Sequence, residues 1–319
     1  MTLSVGQVAA LTTKGIDGMV RDAIFKNSAY LNRLKQKEGI YSGSSMSFPF
    51  NYLDDTSAVG GYYAGSGPLS LNQFDPITEL SFDLKQVEST LVISHEDLAK
   101  NQGKHARLKL IEERLKLLEM SMRQLLSKGV FSDGTVSTGA LSANQLIGMQ
   151  AFLKSSAVDY GGVTSTDVSQ HVAYVASNGG TNRAITTALI QEVLGGASEG
   201  NMIPTLGICR QGVMNNFIEL LKPHQRTTRD ASLDGLGHAG NTLVYSGVDF
   251  IVDNLAEANA VSFINEEFVK LYSHPEYNMK QVSMDNLETQ DAVLKRLFWK
   301  GVYAASVLRY NGKLDDITG

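Results

Sequence analysis

The sequence predicts an α+β fold in which strand-rich segments stand before and after one long helix and a mixed region. The helix is predicted at His105 to Lys128, where apolar residues recur at alternating spacings of three and four until Gly129 ends the pattern. Alternating apolar and polar residues before it, and branched apolar runs near the end of the chain, are typical of strands. The apolar positions of the helix are Leu108, Ile111, Leu115, Leu118, Met122 and Leu125.

The composition is that of a globular protein. Its 319 residues are 43% apolar, which excludes a disordered chain and suggests about two domains. The net charge of -5 excludes a protein that grips nucleic acid over its whole surface, so any contact with nucleic acid is local or loose. The first residues lack the cationic start of a signal peptide and no apolar run could span a bilayer, so we expect a soluble protein made in a cytoplasm.

The segment from Tyr41 to Asp83 differs in kind from the rest of the chain. It combines glycines, prolines and aromatic residues, and it contains neither lysine nor arginine. Its alternating stretches, Met46 to Tyr52 and Ile77 to Leu84, predict the strands of a long hairpin whose tip carries the glycines. Before it, Val5 to Lys37 predicts short helical pieces in an extended arm.

We expect this aromatic and acidic hairpin to pack on another molecule, because a long loop with apolar side chains needs a surface to cover. The alternative is that it folds back on its own domain and its carboxylates keep it soluble. Its acidic residues are Asp54, Asp55, Asp75, Glu79 and Asp83, whereas the polar faces of the long helix lean basic.

The region after the helix mixes both types of element. Its predicted strands are Ile203 to Cys209, Thr242 to Val252, Ala260 to Ile264 and Ala292 to Leu308, and its predicted helices are Thr186 to Leu194 and Gln211 to Leu221. One more strand is predicted before the long helix, at Glu88 to Ile93.

Two glycine motifs suggest enzymes but stand in the wrong context. Gly235 to Gly240 fits G-x-G-x-x-G, yet no strand enters it and a strand, not a helix, follows it. Gly196 to Gly200 fits the G-x-S-x-G elbow around Ser198, yet a helix precedes it and a strand follows it. We therefore interpret the first motif as a connecting loop and the second as a helix end.

Cysteine and histidine give no metal or catalytic pattern. Cys209 lies in an apolar run and is expected to be a small core residue, and it cannot form an internal disulfide. The histidines show neither the zincin spacing nor a diagnostic acidic partner, and His171 stands in a stretch that suggests polar or turn surroundings. We expect no cofactor, no metal and no catalytic role.

The order of parts resembles that of the major capsid proteins of tailed bacteriophages with the Hong Kong 97 fold. An arm and a glycine-bearing hairpin lead to "LVISHEDLAKNQG", and the long helix closes in "LLSKGVFSDG". Near the end, "GVDFIVDNL" and "AVSFINEEFVKLY" are similar to a strand pair of the family's A-domain, and "LKRLFWKGVYAASVLRYNGKL" is similar to its terminal P-domain strand.

The resemblance implies a division of the chain and a structural function. Residues 1–40 would form the N-terminal arm, 41–90 the E-loop hairpin, 91–140 the P-domain with its spine helix, 141–271 the A-domain and 272–319 the return to the P-domain sheet. Copies would assemble as hexamers and pentamers into an icosahedral shell around double-stranded DNA, in the virion. The nearest alternative is an encapsulin-like nanocompartment shell that encloses enzymes; a soluble α/β hydrolase or nucleotide-binding enzyme is a more distant one.

The resemblance also implies partners and an interface. Because the hairpin has no lysine, we predict a shell without covalent cross-links, and because the chain begins at the arm, we expect a separate scaffolding protein or prior cleavage. A portal and a decoration protein are further expected partners. We predict that hairpin residues of one copy contact basic helix residues of its neighbour. The predicted interface consists of Asp54, Asp55, Tyr62, Tyr63, Asp75 and Glu79 with Lys104, Arg107 and Arg114.

Overall fold

The computed structural model describes residues 28–51, 65–66, 77–96, 104–134, 144–156, 158–221, 243–284 and 292–319. The helices are α1 (Ala29–Gln36), α2 (Lys104–Val130), α3 (Met149–Phe152), α4 (Thr187–Gly196) and α5 (Gln211–Leu221). The strands in the first half are β1 (Gly39–Ile40), β2 (Ser45–Asn51), β3 (Ile77–Asp83), β4 (Lys85–Ser94), β5 (Asp159–Tyr160) and β6 (Val163–Thr164). The later strands are β7 (Tyr174–Ala176), β8 (Leu206–Cys209), β9 (Leu243–Tyr245), β10 (Val248–Val252), β11 (Val261–Ile264), β12 (Val269–Ser273), β13 (Lys280–Met284), β14 (Ala292–Ala305) and β15 (Gly312–Leu314).

A five-stranded sheet is built around the long strand β14. Strand β4 pairs antiparallel with β14 from Ala292 to Gly301, and β12 and β13 pair antiparallel along its other edge. Strand β1 adds to β12 in parallel. The branched and aromatic residues of β14 explain its length, because they suit a pleated surface that is covered on one face. Trp299 and Leu297 point into the core and are each 1% exposed.

Helix α2 packs against β4 and β14 and closes one side of this sheet. Its buried apolar side chains include Leu118, Met122, Leu126 and Val130, which follow one another at intervals of four residues. Leu125, which the sequence placed on the apolar stripe, is 45% exposed. The prediction was wrong at Leu125. The buried residues are spaced four apart, so their line moves gradually around a helix of 3.6 residues per turn and passes through Leu126 instead.

A six-stranded sheet has the order β7-β15-β11-β8-β10-β9 and carries apolar residues on both faces. On one face Phe250 and Phe263 pack with Phe217 of α5 and with α4, forming a second core. On the other face Ile208 and Ile264 join the first core, which contains α2 and the five-stranded sheet. The two sheets therefore share buried surface.

The sheets do not follow the predicted domain boundaries at two places. Strand β12 crosses the boundary between residues 271 and 272, and β15, predicted to return to the first sheet, pairs with β11 and β7 in the six-stranded sheet. In addition, residues from Leu146 to Ala173 bury their apolar side chains in the first core. Pairings between strands far apart in sequence cannot be read from local patterns, which explains the differences.

Helix α1 links the first core to the six-stranded sheet. Its buried residues Tyr30, Leu31 and Leu34 belong to the first core, and the Tyr30 hydroxyl lies 2.9 Å from the Tyr303 hydroxyl of β14. Ser28 caps the helix through the Leu31 N–H. The part of the predicted arm that is described is therefore a packed helix; residues 1–27 lie outside the described residues.

Candidate assembly surface

The β2–β3 hairpin has one face turned towards the body of its own chain. Met46, Phe50, Leu80 and Phe82 are each at most 8% exposed. The Phe82 ring lies 4.9 Å from the Tyr160 ring, the Phe50 ring 5.2 Å from the His171 ring, and the Phe48 ring 5.8 Å from the Tyr272 ring. (The distances join ring centroids.)

This packing corrects the expectation that the aromatic hairpin finds its burial on another molecule. At the base of the hairpin, the alternative interpretation holds: the rings are buried in the first core of the same chain. The expectation failed because the side chains that cover them, from β5 and the segment up to His171, lie about 80 to 120 residues away in the sequence. The tip, residues 52–64 and 67–76, lies outside the described residues.

The opposite face of the hairpin is exposed and leans acidic. Alternation along β3 places Ile77, Glu79, Ser81 and Asp83 on this face, and all four are exposed, Ile77 at 61%. The face carries no cation, because the hairpin contains none. Glu79, predicted to belong to the interface, is thus available to another copy.

The basic side chains of α2 divide between its two sides. Arg114, predicted as an interface residue, is 8% exposed, so its own chain covers most of it. Lys116, Arg123 and Lys128 are exposed instead, and Leu117 and Leu125 stand among them at 39% and 45% exposure. The predicted interface does not include these three exposed cations.

Seven of the nine predicted interface residues lie, wholly or by their side chains, outside the described residues. Five of them are not described at all: Asp54, Asp55, Tyr62, Tyr63 and Asp75. For Lys104 and Arg107, at the start of α2, the backbone is described but the side chain is not.

A buried polar network holds α1 in place, and sequence reasoning missed it. Asp253, which is 3% exposed, accepts hydrogen bonds from the Ser28 hydroxyl at 2.5 Å and from the Tyr30 N–H at 3.3 Å. Arg33 bridges Asp249 at 3.0 Å and Glu266 at 2.6 Å. These partners are more than 200 residues from α1, so no local pattern signals them.

The ionisation of this region follows from burial. Burial raises the pKa of the Tyr30 and Tyr303 phenols, so both remain neutral and share a hydrogen bond. Burial would lower the pKa of Arg33, but its hydrogen bonds with Glu266 and Asp249 outweigh this and raise it. Arg33 thus remains a fixed cation between two carboxylates.

An open groove of about 470 Å³ lies beside this network. Met202 and Ile203, exposed at 36% and 42%, form its apolar part, and Lys37, Glu266 and Lys270 are among its charged residues. Such a mixed, open surface lacks the convergent polar groups of a small-molecule site.

The motifs that suggested enzymes fall into structural roles where they are described. Helix α4 ends at Gly196, and the Ser198 hydroxyl donates a hydrogen bond to the Leu194 carbonyl, as the helix-end interpretation predicted. Cys209 is 2% exposed, and burial raises the pKa of its thiol to about 12. The Gly235 to Gly240 loop lies outside the described residues.

His171 directly follows a turn, as expected, but its side chain does not lie in exposed polar surroundings. It is fully buried, and its Nε2 donates to the Tyr160 carbonyl at 3.1 Å. Within the described ranges, no three His, Cys, Asp or Glu side chains come together as a metal site. Among the same residues, no helix has both the length and the apolar character needed to cross a bilayer.

The chain matches one family of known proteins by sequence. A model of the family described as SU10 major capsid protein matches residues 87–298, about two thirds of the chain. Among curated protein sequences, none matches.

Solved structures with a similar fold include chains of a cyanophage capsid, of another phage and of an encapsulin complex. A chain of the cyanophage A-1(L) capsid asymmetric unit is 13% identical with a TM-score of 0.74, over 96% of this chain and 97% of that one. A chain from Microbacterium phage Oxtober96 is 14% identical with a TM-score of 0.58, over 99% of each chain. The SrpI encapsulin of Synechococcus elongatus is 14% identical with a TM-score of 0.56, over 100% of this chain and 97% of that one. At such low identity the likeness concerns the fold.

Proposed function

The chain belongs to the family of the SU10 major capsid protein and is a structural protein of a phage capsid, and we propose that its copies form hexamers and pentamers of a closed icosahedral head around double-stranded DNA. Its α+β fold is of the Hong Kong 97 type, as the order of its elements predicted. The observation that carries the proposal is the family match across the spine helix, most strands of both sheets and the first half of β14.

The exposed face of the hairpin supports self-association. A two-stranded ribbon that is covered on one side only presents a preformed surface to another molecule, which lowers the ordering cost of binding. Extended hairpins that reach a neighbour add buried area without enlarging the subunit's own core. Repetition of one such contact around an axis gives the rings from which a closed shell is built.

We propose that the acidic hairpin contacts the exposed cations of α2 in a neighbouring copy. The hairpin contributes Glu79 and, from the tip, Asp54, Asp55, Tyr62, Tyr63 and Asp75. The helix contributes Lys116, Arg123 and Lys128, together with Lys104 and Arg107; Arg114 is excluded by its burial. Charge complementarity of this kind sets the register of the contact more than its affinity.

Charge reversal tests this pairing. The double variant Asp54→Lys, Asp55→Lys is expected to assemble more slowly at low salt and to assemble faster as salt is added, the reverse of the wild type, because salt then screens a repulsion between like charges. The matched control is Glu267→Lys, Glu276→Lys, which changes the net charge equally at exposed positions outside the hairpin. Equal assembly rates and salt sensitivities in the two double variants would contradict the pairing.

Particle size and content test the function as a whole. Light scattering and negative-stain electron microscopy of the expressed protein are expected to show closed shells of megadalton mass. A monomer or small oligomer would contradict the proposal and favour a soluble enzyme. Double-stranded DNA inside particles from a productive infection distinguishes a phage head from an encapsulin-like compartment, which the likeness to the SrpI encapsulin keeps as the second candidate.

The proposed partners follow from the same role. A separate scaffolding protein, a portal and a decoration protein would act on the assembled shell, and packaged DNA would make loose contact with its lining. The net charge of -5 suits a lining that does not hold DNA tightly. We propose a structural role without catalysis.

A further inference from the structure

The tip of the small β5–β6 hairpin touches the base of the β2–β3 hairpin. The Gly161 carbonyl at this tip accepts a hydrogen bond from the Ser81 N–H of β3 at 2.8 Å. Because Ser81 uses its N–H in this way, the contact lies on the outer edge of β3, not on its edge towards β2. The base of the ribbon is therefore fastened through its backbone as well as through its rings.

The β5–β6 hairpin is itself held firmly to the five-stranded sheet. The Tyr160 hydroxyl accepts a hydrogen bond from the Ala305 N–H of β14 at 3.0 Å, and Tyr160 is 2% exposed. The His171 Nε2 donates a hydrogen bond to the Tyr160 carbonyl, and the Tyr160 and Phe152 rings meet edge to face with their centroids 5.5 Å apart. A contact made by this tip thus relates the ribbon to the five-stranded sheet.

The two glycines of the turn differ in what surrounds them. Both have positive φ, +67° at Gly161 and +81° at Gly162, as a tight two-residue turn requires. A Cβ on Gly161 would lie 2.8 Å from the Phe82 ring and 3.2 Å from Leu80. A Cβ on Gly162 would meet nothing within 4 Å. Gly161 therefore permits the close approach, and Gly162 serves the turn alone.

We propose that the tip of the β5–β6 hairpin is the seat that fixes the direction in which the β2–β3 hairpin leaves the body, and that Gly161 is a positioning residue for assembly. A two-stranded ribbon is weakly stable by itself, so its direction depends on the contacts at its base. A preset direction matters because every copy in a closed shell must present the ribbon at the same angle. The effect on assembly rests on the proposed function, whereas the contact between the β5–β6 tip and β3 is a property of the single subunit.

Hydrogen exchange on unassembled subunits tests the seat directly. Gly161→Ala is expected to speed exchange of the Ser81 amide by about tenfold or more, because the added methyl pushes β3 away from the tip. Gly162→Ala is the matched control, since it carries the same backbone strain without touching β3. Equal protection of Ser81 in the two variants would overturn the proposal, whether or not shells form.

Assembly tests the consequence. Gly161→Ala is expected to give shells of uneven diameter or open sheets by electron microscopy, while Gly162→Ala gives the wild-type diameter. Uniform wild-type shells from Gly161→Ala would refute the positioning role. If the wild type forms no shells, the proposed function fails, and the Ser81 exchange result still decides the seat.

A second pair of variants serves if Gly161→Ala does not fold. Ser81→Pro removes the N–H that binds Gly161, and Ser47→Pro removes the N–H of the residue directly opposite, which faces the other edge of the ribbon. Uneven shells from Ser81→Pro alone support the seat. The same shell diameter from both proline variants contradicts it.

Discussion

Phe82 and Ile77 lie on the same strand but on opposite faces of the hairpin, and they have opposite energetic roles. Phe82 is 3% exposed and packs on Tyr160, whereas Ile77 is 61% exposed. Removing a buried ring costs transfer free energy and leaves a cavity, while removing an exposed side chain costs little.

The first prediction follows from this contrast. Phe82→Ala is expected to lower the free energy of unfolding of the subunit by about 3–5 kcal/mol, and Ile77→Ala by about 0.5 kcal/mol or less. Denaturant unfolding of unassembled subunits measures both. A small effect of Phe82→Ala would mean that the inner face of the hairpin is not buried in its own chain.

The second prediction concerns His171. Burial lowers its pKa below 6.5, against the opposing influence of the Tyr160 carbonyl and Asp159. Between the two pKa values, the unfolded chain therefore binds a proton that the folded chain does not. The free energy of unfolding falls as the pH drops below about 6.5, and it stops falling once the pH is below the pKa of His171 in the folded chain. His171→Gln keeps an N–H donor but cannot be protonated.

Denaturant midpoints between pH 7.5 and pH 5 measure this effect. The wild type is expected to lose up to about 1.4 kcal/mol per pH unit relative to His171→Gln over the acid part of the range. Titrating carboxylates are common to both proteins and cancel in the difference. Parallel pH profiles for the two proteins would contradict the prediction.

Among the elements, α1 is the one whose role differs most from its sequence pattern. It was expected to be part of an extended arm, but it is a bridge between Tyr303 of the first sheet and β10 of the second, where it binds Asp249 in the strand and Asp253 directly after it. Its N-cap, Ser28, also binds Asp253, whereas the N-cap of α4, Thr186, only caps its helix.

The third prediction compares these caps. Thr186→Ala is expected to cost about 1 kcal/mol, the usual value for an exposed cap. Ser28→Ala is expected to cost about 2–3 kcal/mol, because it also leaves a buried carboxylate with one donor fewer. Chemical denaturation measures the costs, and hydrogen exchange of residues 31–36 shows whether α1 loosens. A cost for Ser28→Ala no larger than that for Thr186→Ala would speak against the bridge.

The elements that the sequence predicted well have strong local signals. The bounds of α5 agree with the prediction, and β2, β3, β4 and α2 agree to within a few residues, because periodicity and glycine stops are properties of short windows. Strand β8 begins at Leu206, not at Ile203, since Pro204 lacks an N–H for the ladder. A short window of sequence does not contain the partner of a strand. The sequence therefore did not predict which sheet each strand joins or which residues cover the hairpin.

For the candidate site, the sequence identified the acidic hairpin and the basic helix but not which of their residues are exposed. Glu79 is exposed, which strand alternation over a few residues is enough to predict, and its contact with another copy stays a prediction. Arg114 was expected to be exposed but is buried. Which side of α2 it lies on depends on the number of residues per turn, and a small error in that number adds up along a helix of 27 residues.

At the scale of the whole molecule, the two cores meet at the six-stranded sheet. Ile208 and Ile264 face one core while Phe250 and Phe263 face the other, so neither core can open without exposing the sheet that both share. Such a shared layer couples the two parts into one folding unit.

The fourth prediction is a single cooperative unfolding transition for the unassembled subunit. Met122→Ala in the first core is expected to cost about 2–5 kcal/mol and Phe217→Ala in the second about 3–5 kcal/mol, and both are expected to shift the same calorimetric peak. Two peaks, each moved by only one of the variants, would show that the cores unfold independently.

The covered inner face of the hairpin has a consequence for the protein before it meets its neighbours. Once a newly synthesised copy has folded, the rings of Phe50 and Phe82 are buried, so these rings are not exposed to chaperones or to other nascent chains. We therefore expect assembly to begin without any prior opening of the inner face of the hairpin, and its rate to depend on the concentration of folded subunits.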